Sequence, residues 1–178
     1  ISPAKKIREV CEYAVKYKMA GVLATANYCY DVAPLLKDTD VETIAVISAM
    51  DVTDNLFSSK KHYLESLVKI GVKGVDIGVL GTMIIDREFD DIAEEFRQYA
   101  EIMHAGGGRL GMVLEAGQLS DENLDHLCEA AICAGADYLR TSSGLDLMGG
   151  INIGRATIHN ICSLYNNLKY CSNDYQHE

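Results

Sequence analysis

Arg140, Thr141, Ser142, Ser143 and Gly144 follow one another directly, and no other stretch of the chain is better suited to chemistry. A permanent cation beside three hydroxyls and a glycine suits the holding of an anion, and the set contains no obvious nucleophile. Two acids stand out because they interrupt apolar stretches: Asp76 inside Gly74–Leu80, and Glu115 at the end of Leu110–Glu115. A carboxylate in a buried strand is costly unless it is paired, so Asp76 is expected to have a cationic partner such as Arg140 or Lys169. A structural ion pair accounts for Asp76 and Arg140 as well as catalysis does. Glu115 either caps the backbone of the next turn or faces a ligand. Lys169 reads as a solvated lysine or as a functional amine.

The elements that position these residues follow from periodicity. Ser2-Pro3 has the form of an N-cap with proline at the first helical position, and Ile7, Val10, Cys11 and Ala14 continue at helical spacing. Val22–Thr25 reads as a short strand, and a helix near Cys29 to Lys37 is started or interrupted by Pro34. Thr43–Ser48 is a continuous β-branched strand, as buried parallel strands are. Ser58-Ser59 caps a helix with Tyr63, Leu64, Leu67 and Val68 as its stripe and Gly71 as its stop. Ile92, Phe96, Tyr99 and Met103 mark a further helix that stops at Gly106-Gly107-Gly108. Those glycines follow a helix, whereas a nucleotide fingerprint requires strand, glycines and then helix, so they read as a helix stop. Ser120 and Asp121 open a helix with Leu124, Leu127, Cys128 and Ala131 inward. A strand then leads to Arg140, and a helix near Gly154 to Tyr165 and an apolar piece at Leu168–Cys171 complete the pattern.

Strand starts near residues 22, 43, 74, 110, 137 and 168 alternate with helices, the mark of βα units around a parallel sheet. No linker divides the chain, so residues 1–178 are expected to form one domain. Six units fit either a doubly wound open sheet or a (β/α) barrel with units missing. A complete eight-unit barrel takes about 250 residues, so length alone favours the open sheet.

Composition bounds the rest. The chain has 178 residues, 48% apolar and 24% charged, enough for a real core. No apolar run approaches the roughly 20 residues of a membrane span, and no signal-peptide pattern is present, which predicts a soluble, cytoplasmic protein. The first residue is Ile1 rather than Met, as in a processed, tagged or excised chain. A net charge of −10 argues against nucleic acid, which wants a basic face, but leaves room for a local cationic pocket. Six cysteines form no CxxC pair and read as reduced core residues, and five histidines show no metal-ligand spacing. Asp51, Asp54, Asp86, Asp90 and Asp91 match no calcium loop and read as solvated acids at helix starts.

Ala134–Gly144 resembles the A-G-A-D-F-[VI]-K-T-S-T-G segment of the deoxyribose-phosphate aldolases. Leu114–Leu119 is similar to that family's L-E-T-G-x-L, Gly74–Val79 to its E-[IV]-D-[MV]-V strand, Ala45–Ile47 to its T-V-I strand, and Val22–Lys37 to the segment around its V-C-V-N-P. The resemblance runs through nearly the whole chain in order. It implies an aldolase-type (β/α) barrel, here incomplete with about six βα units, and moves the expected fold from the open sheet to that barrel. It further implies reversible cleavage of 2-deoxyribose 5-phosphate into glyceraldehyde 3-phosphate and acetaldehyde, with no cofactor and no metal. A strand lysine would form the Schiff base, a second lysine would depress its pKa, and an aspartate would help move protons.

Several positions depart from that pattern. Arg140 stands at the Schiff-base lysine; arginine stays protonated and has no lone pair for a carbonyl. Asp76 matches the aspartate, and Lys169 the second lysine. The glycines expected after Lys169 are replaced by Ser172-Asn173-Asp174-Tyr175. Leu23, Thr25, Ala26, Leu80 and Ala116 replace polar or special residues of the family, and its opening strand with an Asp-His pair has no counterpart. The resemblance retains Glu115, Thr141, Ser142, Ser143 and Gly144 as ligand-binding positions. Four readings follow: a non-catalytic relative used for binding, regulation or assembly; an active carbon–carbon lyase with Lys169 as nucleophile; a non-covalent sugar-phosphate or aldehyde binder; or a piece of a longer protein. Uncovered barrel edges predict a homo-oligomer or a partner subunit.

Overall fold

The computed structural model describes residues 2–47, 57–79 and 89–142. The first helix, α1 (Pro3–Lys16), begins as its sequence requires: Ser2 is the N-cap, its hydroxyl accepts from the Lys5 N–H, and Pro3 occupies the first turn. Then come β1 (Gly21–Thr25), α2 (Ala26–Leu36), β2 (Glu42–Ile47), α3 (Phe57–Lys69), β3 (Gly74–Gly78), α4 (Phe89–Ala105), β4 (Arg109–Val113), a 3-10 turn (Ala116–Gln118), α5 (Asp121–Cys133) and β5 (Tyr138–Arg140). Ser120 caps α5 by accepting from the Asn123 N–H, as its place before an acidic first turn predicts.

The strands hydrogen-bond in the order β1-β2-β3-β4-β5. This order decides between the two architectures left open by length. A doubly wound sheet reverses its strand order at a switch point, whereas here each strand adds beside its predecessor with a helix in between, as in a barrel. Gly21 to Thr25 pair in parallel with Glu42 to Val46, and Gly111 to Val113 with Tyr138 to Arg140. Five strands stand among the described residues; the sixth expected strand, near 168, and the helix before it lie outside them.

The described residues fall into two compact units, those within 1–76 and 101–110 in the first and those within 77–100 and 111–142 in the second. In the first, Cys11 and Ala14 of α1, Val32 and Leu36 of α2, Val22 of β1 and Val41 form one apolar cluster. Strand alternation puts Val22 and Ala24 on this face and Leu23, which is 47% exposed, on the other. In the second unit, α5 buries Leu124, Leu127, Cys128 and Ala131, the four residues its periodicity selects. The α4 stripe is likewise buried, with Phe96 and Tyr99 edge to face at 5.6 Å.

One device ends four of the helices. After α1, α3, α4 and α5 the chain places Lys18, Gly71, Gly107 and Gly135 at positive φ. In each case that residue's N–H and the next one close back on the last turn: Lys18 to Val15 and Met19 to Ala14, Gly71 to Val68 and Val72 to Leu67, Gly107 to His104 and Gly108 to Met103, Gly135 to Ile132 and Ala136 to Ala131. These are Schellman closures, and each delivers the chain to the next strand within a few residues. The triple glycine is thus a helix stop, as expected. Lys18 does the same work with a side chain, at a cost glycine would avoid.

Two local expectations are corrected. Pro34 neither starts nor interrupts α2; it lies inside it, two residues from the end. There it removes only a hydrogen bond of the last turns, while Val32, Ala33 and Leu36 hold the helix down. Ser58 and Ser59 do not cap α3, because the helix already includes Phe57.

Of the cysteines, Cys11, Cys29 and Cys128 are buried thiols, whereas Cys133 is exposed. Cys29 Sγ donates to the carbonyls of Thr25 at 3.6 Å and Ala24 at 3.8 Å, and burial pushes its pKa from 9.0 up to about 11. A folded pKa raised above the unfolded one contributes stability that is full below the unfolded value and lost as pH rises through the folded one. The stability gap between the wild type and Cys29→Ala, read from urea unfolding, is therefore expected to hold steady up to pH 9 and to shrink as pH approaches 11. A gap independent of pH over that window would show that Cys29 is solvated.

Candidate functional site

Glu115, Arg140, Thr141 and Ser142 fall at or just beyond strand ends, where βα proteins bind ligands, whereas Asp76 lies in the middle of a strand. Asp76 is the third residue of β3 and is 2% exposed, with Val75 and Ile77 buried on the opposite face. The acid predicted from an apolar run is a core acid.

Glu115, Arg140, Thr141 and Ser142 are brought together by the β4–β5 pairing in the second unit. Arg140 is opposite Val113, so it shares a face with Val113, Gly111 and Tyr138, while Leu139 and Met112 share the other. The Arg140 carbonyl accepts from the Leu114 N–H at 2.9 Å, and the Thr141 carbonyl from the Ala116 N–H at 2.8 Å. The tip is thereby tied to the turn after β4. Arg140, Thr141 and Ser142 are half-buried, neither sealed in the core nor loose in solvent.

Glu115 differs from expectation. It lies beyond β4, at φ 46° and ψ 48°, and is 4% exposed. It precedes the 3-10 turn, yet its side chain makes no cap hydrogen bond to that turn, so the capping reading is wrong. A non-glycine residue in the left-handed region is uncommon and costs about 1 kcal/mol or more. Nothing in the local sequence announces it, since Gly117 two residues later is the more natural candidate for a positive φ.

Lys169, Ser143 and Gly144 lie outside the described residues, as do Asp51, Asp54 and Asp86. Asp90 and Asp91 sit in the first turn of α4, where acids complement the helix dipole. Among the described residues no group of three or more His, Cys, Asp or Glu side chains could hold a metal ion, and no helix is long and apolar enough to cross a membrane.

No protein-family model matches the chain. A deoxyribose-phosphate aldolase of Caldanaerobacter subterraneus is 32% identical over 143 residues, 79% of this chain and 61% of that protein. One from Bdellovibrio bacteriovorus is 27% identical over 160 residues, 88% of this chain and 67% of that protein. This chain is a divergent relative of the deoxyribose-phosphate aldolase family. It spans about two thirds of the length of the curated relatives it matches, for example 64% of an aldolase from Aciduliprofundum boonei. Its fold agrees: the tetrameric deoxyribose-phosphate aldolase of Aeropyrum pernix superposes with a TM-score of 0.72 at 19% identity, over 82% of this chain and 60% of that one. A second structure, the aldolase QR15, gives 0.79 at 19% identity, over 94% of this chain and 72% of that one.

Proposed function

We propose that this chain is a single aldolase-like β/α domain of the cytoplasm, impaired in Schiff-base catalysis and serving a binding, regulatory or assembly role as an oligomer or with a partner subunit. The observation that carries the reading is Arg140, half-buried at the tip of β5. Imine formation begins with a neutral amine attacking a carbonyl carbon, and a guanidinium, which stays protonated in a folded protein, offers no such lone pair. The same side chain is well suited to a phosphate ester, which a planar fork of N–H donors grips in a bidentate manner. Thr141 and Ser142 add hydroxyl donors beside it. A sugar phosphate is therefore the proposed ligand, and the relatives' names support that choice.

The test is thermal unfolding with and without 2-deoxyribose 5-phosphate and glyceraldehyde 3-phosphate, with inorganic phosphate as the control. A ligand at a hundred times its Kd stabilises by about 2.7 kcal/mol, a shift of several degrees for a domain of this size. The shift is expected in the wild type and absent in Arg140→Gln. Equal behaviour of the two proteins would remove Arg140 from the binding site, and indifference of the wild type across the panel would remove the ligand class.

A further inference from the structure

The β4–β5 ladder contains an irregularity that falls on Glu115. With Val113 opposite Arg140, Leu114 donates to the Arg140 carbonyl, the regular parallel pattern. The next regular bond would carry the Ala116 N–H to the Ser142 carbonyl. Instead it goes to Thr141, at 2.8 Å. Two residues advance on the β4 side for one on the β5 side, which is the count of a β-bulge, and the extra residue is Glu115 at φ 46°. Bulges of this kind re-aim the chain next to functional sites.

We propose that Glu115 is a positioning residue: its left-handed backbone makes the bulge that fixes the Arg140–Ser142 tip. This inference deepens the reading of that tip as a binding site, but it concerns the backbone and stands without any ligand. The slip brings the Thr141 carbonyl, rather than the Ser142 carbonyl, under the Ala116 N–H. The Ser142 carbonyl is thereby released from the place a regular ladder would assign it, and the polar tip departs from the strand direction one residue early. A glutamate with ordinary β dihedrals would continue the ladder and carry Thr141 and Ser142 along the strand instead.

The experiment separates conformation from carboxylate. Glu115→Gly and Glu115→Ala both remove the acid, but only glycine accepts positive φ freely. Glu115→Asn and Glu115→Val form a second pair of the same kind, since asparagine tolerates the left-handed region and a β-branched residue does not. The readout is hydrogen exchange of the Ala116 amide in the native state, a signal that belongs to this one bond. Relative to the wild type, whose glutamate already carries the left-handed cost, exchange is expected to slow by about tenfold in the Gly variant and by a few fold in the Asn variant, to stay within about threefold in the Ala variant, and to quicken by about tenfold in the Val variant. If Gly exchanges as fast as Ala, and Asn as fast as Val, the conformation is not what holds the bulge and the proposal fails. If one pair does not fold, the other decides. Because the exchange is measured without ligand, the sugar-phosphate reading can fail while the bulge survives, and the reverse.

Discussion

Arg140→Lys is expected to turn a protein that forms no imine at residue 140 into one that is trapped there. With acetaldehyde and borohydride, the wild type should show no reductive ethylation of the peptide spanning the β5 tip. R140K should show that peptide modified at least about tenfold faster than the exposed lysines of α1, because an amine at a half-buried strand tip is held where a carbonyl can be placed. The physical barrier is the amine's own charge: at an unperturbed pKa near 10.4, only about one lysine in 2,500 is neutral at pH 7. Desolvation and a nearby cation lower that pKa, and Lys169 is the residue to which the family resemblance gives the second role. Trapping of R140K is thus expected to fall in R140K/K169A. Two outcomes overturn the proposed impairment or the site. An adduct on Lys169 of the wild type, lost in Lys169→Ala, would mean that Schiff-base chemistry survives with a displaced nucleophile. An R140K variant labelled no faster than surface lysines would mean that the β5 tip does not receive aldehydes.

Much of the scaffold was legible because each βα unit repeats the same local grammar. The β-branched run at Thr43–Ile47 and the stripes Leu64/Leu67, Ile92/Phe96/Tyr99/Met103 and Leu124/Leu127 gave the elements to within a residue or two of their observed places. The stops at Gly71, Gly107 and Gly135 were legible for a chemical reason, since positive φ selects glycine. That Lys18 would itself take positive φ was not legible, because a lysine carries no sign of it. Pro34 misled for the converse reason: its local penalty is real, but burial of α2's inner face outweighs it near the helix end. At the site, residue types pointed to Glu115, Arg140 and Thr141. Their mutual geometry was hidden, because a bulge is a mismatch between two strands and leaves no trace in either one alone.

Gly106→Ala is expected to cost about 3 kcal/mol, the largest effect of any small substitution in the turn between α4 and β4. A Cβ built at residue 106 would lie 2.3 Å from Val68 Cγ1 and 3.2 Å from Cγ2. Valine in a helix has essentially one χ1 well, so Val68 in α3 cannot rotate the methyl away, and the backbone must move instead. Its neighbours in the same triplet are glycines for different reasons. Gly107 has open space around its missing Cβ but sits at φ 67°, so Gly107→Ala is expected to cost only about 1–2 kcal/mol of backbone strain. At Gly108 the nearest atom, at 2.8 Å, is Met103 Cε, the far end of a flexible side chain, although the Lys73 carbonyl at 3.2 Å also leaves little room. The decisive measurement is a double-mutant cycle by urea unfolding. Val68→Ala opens the space that the new methyl needs, so Gly106→Ala should cost about 2 kcal/mol less in that background, whereas Gly107→Ala should cost the same in both. If Val68→Ala fails to rescue Gly106→Ala, the approach of α3 to the end of α4 is not what demands glycine at 106.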